Sequence, residues 1–86
     1  MESVSLNEIA NGLNVLSWDV LEYLNNHPSQ SYSAIRVKFG FSQEKISKEM
    51  ARLEGAVLVK VERDPNDNRS MVYNITRYGR SILKMK

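Results

Sequence analysis

The apolar residues of this chain keep one spacing up to residue 54 and another beyond Gly55, so helices give way to strands at that point. Before it, Ile46, Met50 and Leu53 repeat at i, i+4 and i+7, the stripe of an amphipathic helix. After it, Val57, Val59 and Val61 alternate with Leu58, Lys60 and Glu62, as strand residues do. Residues 64–70 are dense in turn formers. Alternation then resumes, with Met71, Tyr73 and Ile75 on one face and Val72 and Asn74 on the other. An antiparallel hairpin with a long polar loop is expected over residues 57–75.

Helix signals precede this hairpin. Leu6, Ile9, Ala10, Leu13 and Leu16 share a helical spacing that Asn11-Gly12 interrupts, so residues 1–13 read as an arm or short helix. Ser17 reads as an N-cap, with Asp19 and Glu22 in the first turns where the helix dipole favours anions. That helix buries Val20, Leu21 and Leu24 and ends at Asn25-Asn26-His27-Pro28. Ser31 caps a second helix burying Ala34, Ile35 and Phe39, which Gly40 stops, and Ser42 caps a third over about Gln43 to Glu54. Residues 31–54 are therefore a helix-turn-helix unit. Thr76 opens a last helix, 76–86, aligning Tyr78, Ile82 and Met85. The expected fold class is α+β, a winged helix-turn-helix: a three-helix core, a two-stranded antiparallel β-hairpin wing and a C-terminal helix in one domain.

Composition narrows the function. Eighty-six residues suffice for one small core. With no cysteine and a single histidine, His27, thiolate and multi-histidine metal sites are excluded and no cofactor is expected. No apolar run nears the roughly 18 residues a membrane span needs, and residues 1–5 lack the basic start of a signal peptide. The expectation is a soluble cytoplasmic protein of prokaryotic type with no membrane partner. The four glycines are scattered, and His27 has neither a cysteine partner nor a relay, so an enzyme is not expected. Residues 64–75 begin like a calcium loop, but Arg69 stands where that loop needs glycine and Ile75 where it needs glutamate.

Charge is divided along the chain. Residues 1–35 hold Glu2, Glu8, Asp19 and Glu22 and no Lys or Arg, a net of −4. All twelve basic residues lie from Arg36 onward against six acids, a net of +6, as suits a polyanion. On the third helix, Glu44, Lys48 and Ala51 oppose the apolar stripe, with Lys45, Ser47 and Arg52 on the shoulders. An ordinary solvated face would look the same. Its place in the second helix of the unit favours entry into the major groove of double-stranded DNA, with Ser42 and Gln43 in or before the first turn. In the hairpin, Arg63, Asn66, Asp67, Asn68, Arg69 and Ser70 are the candidate wing contacts. Arg69 at the tip would enter the minor groove, with Asp67 preorganising it or merely stiffening the turn. Ser31, Tyr32 and Lys38 are candidate phosphate contacts.

The segment Phe41 to Leu53 resembles the recognition helix of MarR-like and ArsR-like winged-helix regulators. Arg63-Asp64-Pro65-Asn66-Asp67-Asn68-Arg69-Ser70, followed by Ile75-Thr76-Arg77-Tyr78-Gly79-Arg80, is similar to the MarR wing and its exit into a helix. The likeness covers about residues 16–83. It departs at Val57, where those families carry glycine, and the chain lacks the long MarR dimerisation helices, so no small-molecule effector site carries over. The resemblance implies double-stranded DNA binding with Arg69 as the wing contact and Asp67 as its support. Gln43, Lys45, Ser47 and Lys48 would then lie in or beside the major groove.

One recognition helix reads few base pairs, so a homodimeric sequence-specific regulator is expected. Its candidate dimer surface is Leu6, Ile9 and Leu13 with Tyr78, Ile82, Leu83 and Met85. A sequence-independent architectural DNA-binding protein and a winged-helix protein-interaction module are the competing readings.

Overall fold

The computed structural model describes residues 6–85, with only the backbone described at Leu6, Asn7 and Asn68. The elements run α1 (Leu6–Asn11), α2 (Val15–Asn26), β1 (Gln30–Ser31), α3 (Tyr32–Phe39), α4 (Gln43–Gly55), β2 (Val59–Asp64), β3 (Asp67–Ile75) and α5 (Arg77–Leu83). This is the expected α+β winged helix-turn-helix arrangement. Among the described residues no helix is long and apolar enough to cross a membrane.

Short-range chemistry sets most boundaries. Ser31, Ser42 and Thr76 cap their helices as expected, each side-chain oxygen accepting the amide three residues on, from Ala34, Lys45 and Gly79. Gly40 closes α3 in the left-handed region at φ 70° and turns the chain into α4 within three residues.

One cap differs from expectation. Helix α2 begins at Val15, and its N-cap is Asn14, not Ser17. The Asn14 Oδ1 accepts from the Ser17 amide at 2.9 Å, and Ser17 Oγ accepts from the Asn14 amide at 3.2 Å, a capping box. Starting early adds Leu16 to the buried face of Val20, Leu21 and Leu24 and buries Ser17 as well.

The sheet has three strands in the order β1-β3-β2, all antiparallel, where two were expected. Strand β1 is two residues long, too short to leave an alternation pattern; it pairs Gln30 with Tyr73 and Ser31 with Val72. Val57 does not begin β2. It sits at φ 61°, 56% exposed, in the turn after α4, and Leu58 lies buried beside it with its carbonyl accepting from the Thr76 amide. The long polar loop expected at 64–70 is short, because Asp64 pairs with Asp67 across Pro65-Asn66 and β3 already runs through Arg69 and Ser70.

The core joins Leu16, Val20, Leu21 and Leu24 of α2 to Ile35, to Ile46, Met50 and Leu53 of α4, and to Leu58, Val59, Ile75 and Ile82. The hairpin and α5 are thus welded to the helix-turn-helix unit. Ile82 is fully buried in this core and is withdrawn from the expected dimer surface. The expected Leu6 side-chain contact lies outside the described residues.

Candidate nucleic-acid interface

The apolar stripe of α4 faces inward, with Ile46, Met50 and Leu53 at 0–1% exposure, and so presents the opposite face to solvent. Gln43, Glu44, Lys45, Ser47, Lys48 and Ala51 are all exposed. Lys48 Nζ lies 3.2 Å from Glu44, an i,i+4 pair on the surface whose separation costs about 0.2–0.5 kcal/mol. Lys45 stacks its ammonium 4.1 Å from the Phe41 ring centroid, next to the α3–α4 turn.

Two residues of this helix are engaged elsewhere. Arg52, expected on the DNA face, turns its guanidinium back to donate to the Gly12 carbonyl at 2.7 Å, with Glu49 at 3.8 Å. Ser47 Oγ lies 2.8 Å from the Tyr32 hydroxyl, which itself donates to the Gln43 carbonyl at 2.8 Å. Tyr32, a candidate phosphate contact in the sequence, therefore ties the start of α3 to the first turns of α4. Ser31 commits its hydroxyl to capping α3, and Lys38 is exposed with its ammonium 5.8 Å from the Tyr23 ring centroid.

In the hairpin Arg69 is a residue of β3 and not of the turn tip. Its side chain is 95% exposed with Nε 3.8 Å from Asp67 Oδ1. Asp67 accepts from the Arg69 amide and from Ser70 Oγ, both at 3.1 Å, so it organises the start of β3 whatever Arg69 does. Asp64 accepts from the Asn66 amide at 2.9 Å across the turn. Arg63 is exposed near the end of β2, opposite Met71. The expected Asn68 side-chain contact lies outside the described residues.

Glu49 was missed in the sequence. It is 5% exposed, accepting from Ser17 Oγ at 2.6 Å and from Asn14 Nδ2 at 3.3 Å. The signal was present: an acid three residues after Ile46 and four before Leu53 lies on the apolar face and requires buried donors. Those donors are the capping residues of α2, so one carboxylate fixes α4 against the helix behind it.

A capped helix-turn-helix with an exposed polar face on its second helix, followed by a hairpin carrying an exposed arginine, defines the winged helix-turn-helix class. Residues 11–70 match the model of the MarR family, and the chain belongs to that family. No curated protein is a significant match.

Among solved structures, the chain is similar to the transcriptional regulator Tm0710 from Thermotoga maritima, at 22% identity and TM-score 0.79, over 86% of this chain and 52% of that one. RV1404 from Mycobacterium tuberculosis matches at 19% identity and TM-score 0.82, over 92% and 54%. The PcaV transcriptional regulator from Streptomyces coelicolor, solved with its natural ligand, matches at 19% and TM-score 0.76, over 98% and 74%. The chain spans about half the length of the first two.

Proposed function

We propose that the chain is a sequence-specific, double-stranded DNA-binding transcription regulator of the MarR family, acting as a homodimer. The observation that carries this reading is the face of α4, where Gln43, Lys45, Ser47 and Lys48 stand exposed on a helix held from behind by core packing and Glu49. A rigid helix with cationic and hydroxyl groups outward suits the major groove, whose acceptors and amino groups those side chains meet. Arg69 on β3 supplies the wing contact to the minor groove. Tyr78 and Met85, at 44% and 43% exposure, with the half-buried Ile9, Leu13 and Leu83, are the remaining dimer surface.

Competition between selected and random duplexes, run at two salt concentrations, tests the reading. A specific regulator binds its own site about a thousandfold or more tighter than random DNA. Equal affinity for both, with steep salt dependence, would instead mark a sequence-independent coat protein. Sedimentation at micromolar concentration tests the dimer. A 9.9 kDa species alone, with and without DNA, would overturn it.

A further inference from the structure

The hydrogen bonds around Tyr32 decide what Ser47 can do at a base edge. A phenol has one hydrogen to donate, and that of Tyr32 goes to the Gln43 carbonyl. The same carbonyl takes the Ser47 amide in the regular i→i−4 pattern of α4, so both its lone pairs are used. With the phenol hydrogen spent on that carbonyl, the Ser47 hydroxyl is left as the only donor toward Tyr32. Its contact with Tyr32 at 2.8 Å can only run from Ser47 to the phenol oxygen. The serine hydrogen is consumed inside the protein, and the exposed side of Ser47 Oγ offers lone pairs alone.

We propose that Ser47 is a specificity-determining residue set by Tyr32 as an acceptor, so that it selects a base with an exocyclic amino group. In the major groove those donors are adenine N6 and cytosine N4. Guanine and thymine present acceptors there, and an acceptor-only hydroxyl leaves both oxygens facing one another unbonded. Phosphate oxygens are excluded for the same reason, so Ser47 is a base contact and not a backbone contact. Tyr32 is its positioning residue: it touches no base and acts by holding the proton and the rotamer of Ser47. This inference rests on the proposal that α4 reads the major groove.

Random-site selection with the intact protein, Tyr32→Phe and Ser47→Ala tests it. The wild type is expected to favour adenine or cytosine over guanine or thymine by about five- to tenfold at one position per half-site, on the strand that Ser47 faces, the scale of a single hydrogen bond. Tyr32→Phe frees the serine hydrogen and flattens that position while the others keep their preference. Ser47→Ala flattens it too, and as an exposed substitution it leaves the fold in place. Unchanged selection by Tyr32→Phe or by Ser47→Ala would overturn the proposal. Wild-type selection without any enriched site would overturn the DNA-reading function and this inference with it. An enriched site lacking an amino-favouring position would overturn the inference alone.

Discussion

The Arg52 guanidinium donates to the Gly12 carbonyl at 2.7 Å, so α4 itself grips the connection between α1 and α2. Glu49, one turn earlier, holds Asn14 and Ser17. Both contacts run from α4 to the same short stretch of chain, one half-exposed and the other buried.

That difference in burial separates two substitutions. Glu49→Ala removes the charged acceptor of the buried Ser17 hydroxyl, which keeps only Asn14 Oδ1 at 3.0 Å, and of the Asn14 amide, and is expected to cost about 1–3 kcal/mol. Arg52→Ala removes a bond whose carbonyl partner turns to water and a 3.8 Å contact with Glu49, whose Ser17 and Asn14 donors stay in place, at about 0.5–1.5 kcal/mol. Urea denaturation of the two variants checks the order; a larger loss for Arg52→Ala would contradict it.

Val57 occupies a glycine conformation, φ 61°, with its β-branched side chain 56% exposed. An L-residue there costs about 1–2 kcal/mol, and little burial offsets it. Val57→Gly is therefore expected to raise stability by roughly 1 kcal/mol, which for a domain of this size lifts the melting midpoint by about 4–8 °C. A lowered midpoint would show that the turn carries no strain.

Gly79 is constrained by space and not by its dihedral angle. A Cβ there would fall on the Leu58 carbonyl oxygen and within 2.6 Å of Ile75 Cγ1, both in the packed junction of α5 with the sheet. Gly79→Ala is expected to destabilise by about 1–3 kcal/mol, as overpacking does. Gly55→Ala meets nothing within 4 Å and should stabilise by about 0.4–1 kcal/mol. Thermal melts of the pair test the contrast.

Two tyrosines diverge in alkaline titration. The bond from Arg77 holds the Tyr78 phenol below its usual range. Burial, then the Glu54 charge and Tyr32, push Tyr73 above it. Because folding favours neutral Tyr73, the stability it lends is complete below the unfolded value of about 10 and is lost as pH rises through the folded one. Ultraviolet titration should lose its earliest phenol step in Tyr78→Phe and its latest in Tyr73→Phe. Identical curves would refute the assignment.

Lys48 and Arg69 are exposed enough to change without disturbing the fold, so their variants report on binding alone. Lys48→Ala is expected to cost about 1–3 kcal/mol of DNA affinity and to relax one base position. Arg69→Ala should weaken binding mostly where the flanks are A·T-rich. Equal losses on every sequence would reduce both to phosphate contacts, and no loss would favour a protein-interaction module.

Helix spacing, the change of period after Gly55 and the caps at Ser31, Ser42 and Thr76 were legible in the linear chain, because each depends on residues within a turn or two. They were enough to establish a winged helix-turn-helix and to mark α4 and the hairpin. Folding alone decided what individual polar groups do. Ser17 looks like a cap, yet Asn14 caps the helix three residues earlier and the Ser17 hydroxyl is buried, donating to Glu49 thirty-two residues away. Arg52 sits on an open shoulder of its helix until the Gly12 carbonyl forty residues back receives it. Ile82 shares a stripe with the exposed Tyr78 and Met85, yet only the packing of α5 puts it in the core. Periodicity records which side of an element is apolar; a hydrogen bond's partner is set by distances that exist only once the chain has closed on itself.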